Sequence, residues 1–471
     1  MMFSIHTAYA QFDTWFVLGL SFACAMVASL HALLTKPDPR SAFGWLVVCW
    51  LFPLGGAILY GVFGINRVRA RARQLRGVLG NPRNPVCIVA DDAPADHLMR
   101  IGDAVTQWAR IPGNAIEFLE NGENAFPSML ETIAAARRSV WLATYIFETD
   151  AVGQQFIDAL AAAAARGVQV CVLIDGVGEW YSWPLAVPVL RRAGVDAQRF
   201  LPPRLFPPRL SMNMRNHRKL LLVDGEVGFL GGMNIGGREV GKAGTRRMAD
   251  LHFKVQGPVL QELGETFRID WAFSALATLT VPEAPPSCGS CVCRVITEGP
   301  DEDNDKLVSV MMGAVSMARE QLLIMTPYFI PPPELSSALQ SAALRGVDVT
   351  LVLPERSNLR YVDWACRRWL RPLVARGVKV LLQPPPFAHT KLLVMDGRYA
   401  QIGSANLDPR SLRLNFEIAL EVYDPATCRR LSEYVIQARD RSTLLTGAMI
   451  AELGIWARAR NSLFWLLSPY L

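Results

Sequence analysis

The chain has 471 residues, enough for two or three domains, and a formal net charge of +6. Hydrophobic residues make up 51% and charged residues only 19%, which excludes the disordered and fibrous classes. The same excess argues against an ordinary soluble enzyme, because some segment has to carry the surplus of apolar residues.

That surplus lies at the N-terminus. Residues 14–35 and residues 41–66 contain no Asp, Glu, Lys or Arg, and each is long enough to cross a hydrocarbon core, which needs about 20 helical residues. They predict two membrane spans joined by the short turn KPDPR, so that residues 1–66 form a membrane hairpin. A pair of buried core helices is the alternative. Pro53, followed by two glycines, predicts a kink in the second span.

A run of arginines follows the second span directly. Its members are Arg67, Arg69, Arg71, Arg73 and Arg76. Because residues 1–66 sum to zero charge, these five leave a net charge of only +1 for residues 77–471. The run predicts that the chain after the second span faces the cytoplasm, and it acts either as an anchor alone or also as a site for anionic lipid. We interpret residues 67–110 as a basic juxtamembrane connector. The near-neutral charge of residues 77–471 argues against a nucleic-acid-binding surface.

The rest of the chain contains a duplication. The segment VWLATYIFETDAVGQQFIDALAAAAARGVQVCVLIDGVG, at residues 140–178, has the same order of strand, loop, Ala-rich helix and strand as residues 322–358. Strands that alternate with helices predict an α/β sheet with parallel pairing. We place a first repeat at residues 111–290 and a second at residues 291–453, followed by an apolar tail at 454–471. The aromatic residues of this tail either sit at a membrane interface or pack on the body; they are Trp456, Phe464 and Trp465.

A cysteine cluster lies at the predicted junction of the repeats. Its members are Cys288, Cys291 and Cys293. A structural zinc site usually has four ligands, and no nearby His or second Cys pair completes this set, so we predict no metal site. The odd and irregular spacing of the nine cysteines suits a reducing compartment better than a disulfide framework.

Each repeat carries one copy of the pattern His-x-Lys-x4-Asp. The candidate catalytic residues are His217, Lys219, Asp224, His389, Lys391 and Asp396. In a strand, residues two apart point to the same face, so each His projects beside a Lys that can bind phosphate. A Gly-rich loop follows each copy and supplies three candidate phosphate ligands, whose alternative role is turn formation. These are Asn234, Ser404 and Asn406.

The doubled motif resembles the phospholipase D superfamily, and the longer strings resemble bacterial cardiolipin synthases with two N-terminal spans. The strings are YIFETD, DGVG, RNHRKLLLVDG, GGMNIG, TPYFIPPPEL, ALRGVDV, HTKLLVMDG and GSANLDPRSLRLNFE. The resemblance implies an α/β fold in which two phospholipase D-like α-β-α sandwich repeats pack as a pseudo-dimer behind the membrane hairpin. The chain departs from the family at Pro332 and Pro333, in GREVGKAGTRRMAD and in LPPRLFPPRLSMNMRN; these departures concern acceptor specificity.

The resemblance also implies a reaction without a metal or other cofactor. One phosphatidylglycerol donates its phosphatidyl group to a second through a phosphohistidine, with His217 as the nucleophile and His389 as the acid and base. Asp250 and Glu417 would orient the histidines, and which carboxylate serves which histidine stays open. Asp224 and Asp396 have a structural hairpin role as their alternative.

The expected setting is the bacterial inner membrane, with anionic membrane lipid as the partner, no nucleic acid and an oligomeric state that stays open. A hydrolase of membrane phospholipids with the same site, a nucleic-acid phosphodiesterase and a non-catalytic scaffold are the competing hypotheses.

Overall fold

The computed structural model describes residues 2–36, 39–65, 97–106, 108–203, 214–241, 247–275, 277–299 and 305–468. The chain divides into two compact units, residues 1–74 and residues 75–471. The predicted arginine run at 67–76 and most of the predicted connector at 67–110 lie outside the described residues.

The N-terminal unit is a helical hairpin whose second arm is broken. Helix α1 (Met2–Thr35) is followed by α2 (Pro39–Leu51), α3 (Pro53–Leu59) and a π-helical turn (Tyr60–Gly64). Among the described residues, only the stretch Trp15–Thr35 is a helix long and apolar enough to cross a membrane. The second predicted span is divided into two shorter helices at Pro53, where the sequence predicts a kink. Proline has no N–H to donate and its ring clashes with the preceding turn, so the helix is interrupted before Pro53.

Small residues let the arms of this hairpin approach closely. Ala25, Ala28 and Ala32 recur at helical spacing on α1 and are buried with Cys49 and Tyr60. The large apolar side chains of the stretch Trp15–Thr35 are exposed on the other faces of α1, as expected of a helix in contact with lipid.

The second unit is built from two copies of one α/β arrangement. The first copy has strands β1 (Ile111–Glu120), β2 (Ser139–Thr144), β3 (Gln169–Asp175), β4 (Asp196–Phe200), β5 (Leu220–Val223), β6 (Val227–Gly231), β7 (Met248–Ala249) and β8 (Leu251–Gln256). Its helices are α5 (Asn121–Ala135), α6 (Ala151–Ala165), α7 (Ala186–Arg192) and α8 (Leu260–Ala275), and helix α4 (His97–Thr106) precedes this copy in the chain and packs on the second one.

The second copy repeats this order in its main strands and the helices between them, and it has additional short elements. Its strands are β9 (Cys291–Glu298), β10 (Gln321–Met325), β11 (Asp348–Pro354), β12 (Lys379–Gln383), β13 (Phe387–Ala388), β14 (Leu392–Met395), β15 (Tyr399–Gly403), β16 (Glu417–Val422) and β17 (Thr443–Leu444). Its helices are α9 (Lys306–Met317), α10 (Pro333–Leu344), α11 (Arg360–Ala375), α12 (Pro409–Arg413), α13 (Pro425–Asp440), α14 (Gly447–Ala451) and α15 (Ile455–Leu466).

The strand order shows the duplication directly. In the described residues one sheet runs β4-β3-β2-β5-β6-β8-β1-β9-β16-β15-β14-β10-β11-β12-β17. Apart from the terminal β17, the order reads the same in both directions from the antiparallel β1–β9 pair. Strands β2, β3 and β4 are parallel, as are β10, β11 and β12. The two repeats therefore form one continuous pseudo-dimeric α/β sheet, which confirms the predicted fold class.

Each repeat has its own core, because its central strands are buried on both faces. Every residue of β2 and β5 is buried, and the residues of each repeat form a separate hydrophobic cluster. The Arg-Gly-Val strings end helices α6 and α10, since Gly167 and Gly346 take positive φ angles of 86° and 91°. The terminal helix α15 packs Phe464 and Trp465 against α11, while Trp456 is 84% exposed.

The cysteine cluster is divided between strand and loop. Cys291 and Cys293 are buried in β9, and Cys288 is exposed before it. In the described part of the chain, no group of three His, Cys, Asp or Glu residues is arranged to hold a metal.

The two motif aspartates are hairpin residues, which corrects their prediction as catalytic groups. Asp224 and Asp396 have positive φ angles of 55° and 49° in the Asp-Gly turns at the ends of β5 and β14. The Asp224 carboxylate accepts the backbone N–H groups of residues 137, 138 and 139 at 2.7–2.9 Å. Asp396 does the same for residues 319, 320 and 321 at 2.8–3.0 Å. Both lie at the opposite end of their strand from the motif histidine.

Candidate active site

Short parallel pairings between the two repeats bring the motif histidines together. Strand β7 pairs with β13, and Asn216 forms an isolated bridge with Phe416. As a result the His389 N–H donates to the carbonyl of Ala249 at 2.8 Å, and the His217 N–H donates to the carbonyl of Phe416 at 2.9 Å. Each histidine is thus held by the backbone of the other repeat.

The orienting carboxylates also act across the repeats. His217 Nδ1 lies 3.0 and 3.1 Å from the two carboxylate oxygens of Glu417, and His389 Nδ1 lies 2.9 Å from Asp250 Oδ2. The sequence left this pairing open, and the structure makes it crosswise. Because Nδ1 is engaged in both rings, Nε2 is the nitrogen that each imidazole offers to a substrate.

The two carboxylates are supported differently. Glu417 also accepts the hydroxyl of Ser404 at 2.5 Å, so Ser404 positions Glu417 and is not the phosphate ligand that the sequence predicted. The equivalent residue before Asp250 is Gly232, where a Cβ atom would lie 2.3 Å from the Asp250 carboxylate. One repeat therefore uses a serine to hold a glutamate, and the other uses the space of a glycine to fit an aspartate.

Both carboxylates remain ionised despite their burial. Burial alone raises the pKa of Asp250, but the charge of Lys391 and the hydrogen bond with His389 outweigh it and lower that pKa below its usual value. Burial likewise raises the pKa of Glu417, and the charge and hydrogen bond of His217 reverse that effect. Each histidine thus faces an anion that fixes its tautomer.

Burial lowers the pKa of the four basic groups. The pKa of His389 falls to about 4, first by burial and then by the charge of Lys391, and burial lowers that of His217 against the opposing charge of Glu417. Burial lowers the pKa of Lys219 to about 7 and that of Lys391 to about 8. Both imidazoles are therefore mainly neutral near pH 7, and the lowered pKa values of the two lysines lie close to that pH. Each ammonium donates to the carbonyl of its motif histidine.

The histidines open into one cavity of about 720 Å³, which both repeats line. Asn234 and Asn406 line it as well, as expected of candidate phosphate ligands. The Asn234 side-chain oxygen accepts the Ile146 N–H at 3.1 Å, whereas the Asn406 oxygen is buried without a partner in the described part of the chain. The two repeats thus contribute the same reactive groups, but the asparagines that line the cavity make different contacts.

Family profiles match both repeats and the hairpin. The profile described as "Cardiolipin synthase, PLD-like domain" matches residues 129–271 and 311–438, and one described as "Phospholipase_D-nuclease N-terminal" matches residues 23–64. The chain belongs to the cardiolipin synthase family of the phospholipase D superfamily. This family consists of phosphatidyltransferases, and together with the apolar N-terminal helix it indicates association with a membrane.

Individual relatives agree over nearly the full length. The chain is 30% identical to a cardiolipin synthase of Oceanobacillus iheyensis, over 97% of this chain and 99% of the relative. It is 34% identical to cardiolipin synthase A of Pseudomonas putida, over 87% and 88% of the two chains. The crystal structure of phosphatidylserine synthase from Haemophilus influenzae Rd KW20 shares the fold, with a TM-score of 0.63 at 16% identity, and covers 80% of this chain and 100% of that one.

Sequence reasoning missed two groups beside the cardiolipin synthase motifs. Glu239 is buried and accepts the Asn234 N–H at 3.1 Å, and burial together with the charge of Asp250 raises its pKa to about 8. The ring of Tyr145 lies 5.3 Å from the His217 ring and 5.6 Å from the Lys219 ammonium. The sequence did contain a signal for Tyr145, because this residue lies directly after β2 in the duplicated segment. The sequence contained no such signal for Glu239, because the role of this residue depends on how the loop after Asn234 folds back.

Proposed function

We propose that the protein transfers a phosphatidyl group from one phosphatidylglycerol to another, giving cardiolipin and glycerol. The observation that carries this proposal is the crosswise pair of imidazoles, each fixed through Nδ1 and facing one cavity, in a chain of the cardiolipin synthase family. Such a pair supplies a nucleophile and an acid at the same phosphorus atom.

The first displacement releases glycerol. Nε2 of His217 attacks the phosphorus of the donor, the bond from phosphorus to the glycerol oxygen breaks, and His389 gives a proton to that oxygen. Since burial keeps the pKa of His389 near 4, this imidazole takes up its proton as the phosphodiester anion enters and raises the pKa. The product is a phosphatidyl group on His217.

The second displacement forms cardiolipin. A hydroxyl of the second phosphatidylglycerol gives its proton to His389, and its oxygen attacks phosphorus as the nitrogen–phosphorus bond breaks. Lys219 and Lys391 stabilise the charge on the non-bridging oxygens in both steps, and the amides of Asn234 and Asn406 add hydrogen bonds. The nitrogen–phosphorus bond retains the reactivity of the donor ester, so no activated donor is required.

We further propose that residues 1–66 form a two-span hairpin in the bacterial inner membrane with the catalytic unit on the cytoplasmic side. The helix Trp15–Thr35 and the arginines after residue 66 support this topology. Reporter fusions placed after residue 80 test it: we expect a cytoplasmic signal, and a periplasmic signal would refute the orientation.

The decisive test of the reaction uses purified full-length protein in vesicles of phosphatidylglycerol alone. We expect cardiolipin and free glycerol in equal amounts without added nucleotide. If phosphatidic acid were the main product, the hydrolase would be the correct reading. If cardiolipin formed only with a cytidine-activated lipid, the transfer mechanism would be wrong.

A further inference from the structure

The cavity wall contains arginines that are not all neutralised. Three of those in the described residues form ion pairs: Arg215 with Asp175 at 3.3 Å, Arg238 with Glu148 at 2.8 Å and Arg247 with Glu123 at 2.8 Å. Arg410 lines the same cavity from helix α12, and among the described residues it has no carboxylate within ion-pair distance. Its charge acts on the buried carboxylate of Asp408, which lines the same cavity, but because the guanidinium makes no ion pair in the described residues, it is available to an anionic ligand.

Comparison of the repeats explains why Arg410 lacks an ion pair like the one between Arg238 and Glu148. The N–H of Glu148 donates to Ile235 at 2.8 Å, and that of Ile330 donates to Leu407 at 2.7 Å, so Glu148 and Ile330 occupy equivalent positions. Arg238 and Arg410 each follow three residues after the accepting residue. The second repeat thus keeps the arginine and replaces its acidic partner with a buried isoleucine.

Unpartnered polar atoms surround this arginine. Within the described part of the chain, four buried atoms of the cavity-lining segment 406–415 have no hydrogen-bond partner: Asn406 Oδ1, Arg410 Nε, Ser411 Oγ and Asn415 Oδ1. Buried polar groups are nearly always satisfied, so such a group calls for a partner from outside the chain. Together they offer a charged donor, a hydroxyl and two amide oxygens that accept hydrogen bonds.

We propose that this wall of the second repeat is the subsite for the acceptor, and that it recognises a phosphate ester of a polyol. Arg410 and Ser411 bind the phosphate of the acceptor, and the amide oxygens of Asn406 and Asn415 accept hydrogen bonds from its hydroxyl groups. The inference rests on the proposed function, since the acceptor phosphate needs a cation other than the two lysines that bind the reacting phosphate. A guanidinium suits it because it binds phosphate with fixed geometry.

The test separates the two displacements. Exchange of radiolabelled glycerol into phosphatidylglycerol uses only the donor site, because glycerol carries no phosphate. Cardiolipin formation uses both sites. We expect Arg410→Gln to lower the rate of cardiolipin formation about 10- to 100-fold, the usual effect of losing a charge-assisted hydrogen bond, and to leave glycerol exchange nearly unchanged. Arg410→Lys should recover part of the loss. The defect that remains should appear mainly as a raised KM for lipid.

The matched control is Arg413→Gln. Arg413 lies on the same helix, 57% exposed and 3.8 Å from Asp305, and does not line the cavity. We expect it to leave both reactions unchanged. Equal loss of exchange and cardiolipin formation in Arg410→Gln, or no loss of either, would overturn the subsite. Absence of glycerol exchange in the wild-type protein would instead refute the proposed function, and the subsite with it.

A soluble ligand identifies the source of the phosphate. Glycerol 1-phosphate should inhibit cardiolipin formation by the wild-type protein and should do so much less in Arg410→Gln. If it also accepts the phosphatidyl group, the subsite recognises the headgroup alone; if it only inhibits, the lipid chains contribute to productive binding. Inhibition of equal strength in both proteins would contradict the assignment.

Discussion

Replacing Glu417 with Gln tests the crosswise pairing of histidines and carboxylates. The substitution keeps the shape of the side chain but removes the charge that His217 Nδ1 faces at 3.0 Å. Losing a charge-assisted hydrogen bond costs about 1.5–3 kcal/mol, or about 10- to 150-fold in rate. Loss of control over the tautomer adds to this, and a comparable carboxylate-to-amide change in a serine-protease triad costs about 10⁴-fold. We therefore expect kcat to fall between about 10²- and 10⁴-fold.

The assay compares Glu417→Gln with Asp250→Asn on two donors, phosphatidylglycerol and a lipid phosphodiester with a nitrophenol leaving group. A good leaving group needs no acid, so it partly rescues the variant that lacks the acidic histidine. We expect Asp250→Asn to be rescued together with His389→Ala, and Glu417→Gln to stay inactive together with His217→Ala. If Asp250→Asn instead behaved like His217→Ala, the carboxylates would serve the histidines of their own repeats. Thermal unfolding midpoints control for loss of fold.

The other predictions concern pH, metals and the hairpin aspartates. Because burial lowers the pKa of Lys219 to about 7 and of Lys391 to about 8, their positive charges are lost as the pH rises through those values. We therefore expect kcat/KM to fall on the alkaline side. A kcat/KM that stays constant up to pH ~10, the usual lysine pKa, would contradict this. EDTA should leave activity unchanged, whereas loss that zinc restores would show that the site needs a metal. Asp224→Asn and Asp396→Asn should each lower stability by about 1.5–3 kcal/mol and leave kcat per folded molecule unchanged, since each carboxylate binds backbone N–H groups outside the site; a normal unfolding midpoint with reduced kcat would restore their catalytic role.

The duplication and the reactive pairs were predictable because they are local patterns. His217 and Lys219 lie two residues apart before a buried strand, and the same pattern recurs at His389 and Lys391. The recurrence, with a Gly-rich loop after each copy, made chance a poor explanation. The Asp-Gly turns were equally visible, and their hairpin role was the stated alternative for the motif aspartates.

The pairing of the carboxylates could not be predicted, because it depends on contacts between distant segments. His217 and Glu417 are 200 residues apart, and His389 and Asp250 are 139 apart. Their meeting follows from the short β7–β13 pairing and the bridge at Asn216, neither of which leaves a periodic signal. Ser404 was misassigned for the same reason: its neighbours in the chain suggest a phosphate loop, but its hydroxyl donates to a carboxylate that lies 13 residues later.

The central claim is a phosphatidyl group carried covalently on His217. The most direct measurement mixes the protein with phosphatidylglycerol labelled in its phosphate, stops the reaction rapidly in denaturant and maps the label by peptide mass spectrometry. We expect the label on the peptide that contains His217, and more of it in His389→Ala when the donor has a good leaving group. Label on the His389 peptide would exchange the two roles, and absence of any labelled peptide while cardiolipin still forms would contradict the two-step mechanism.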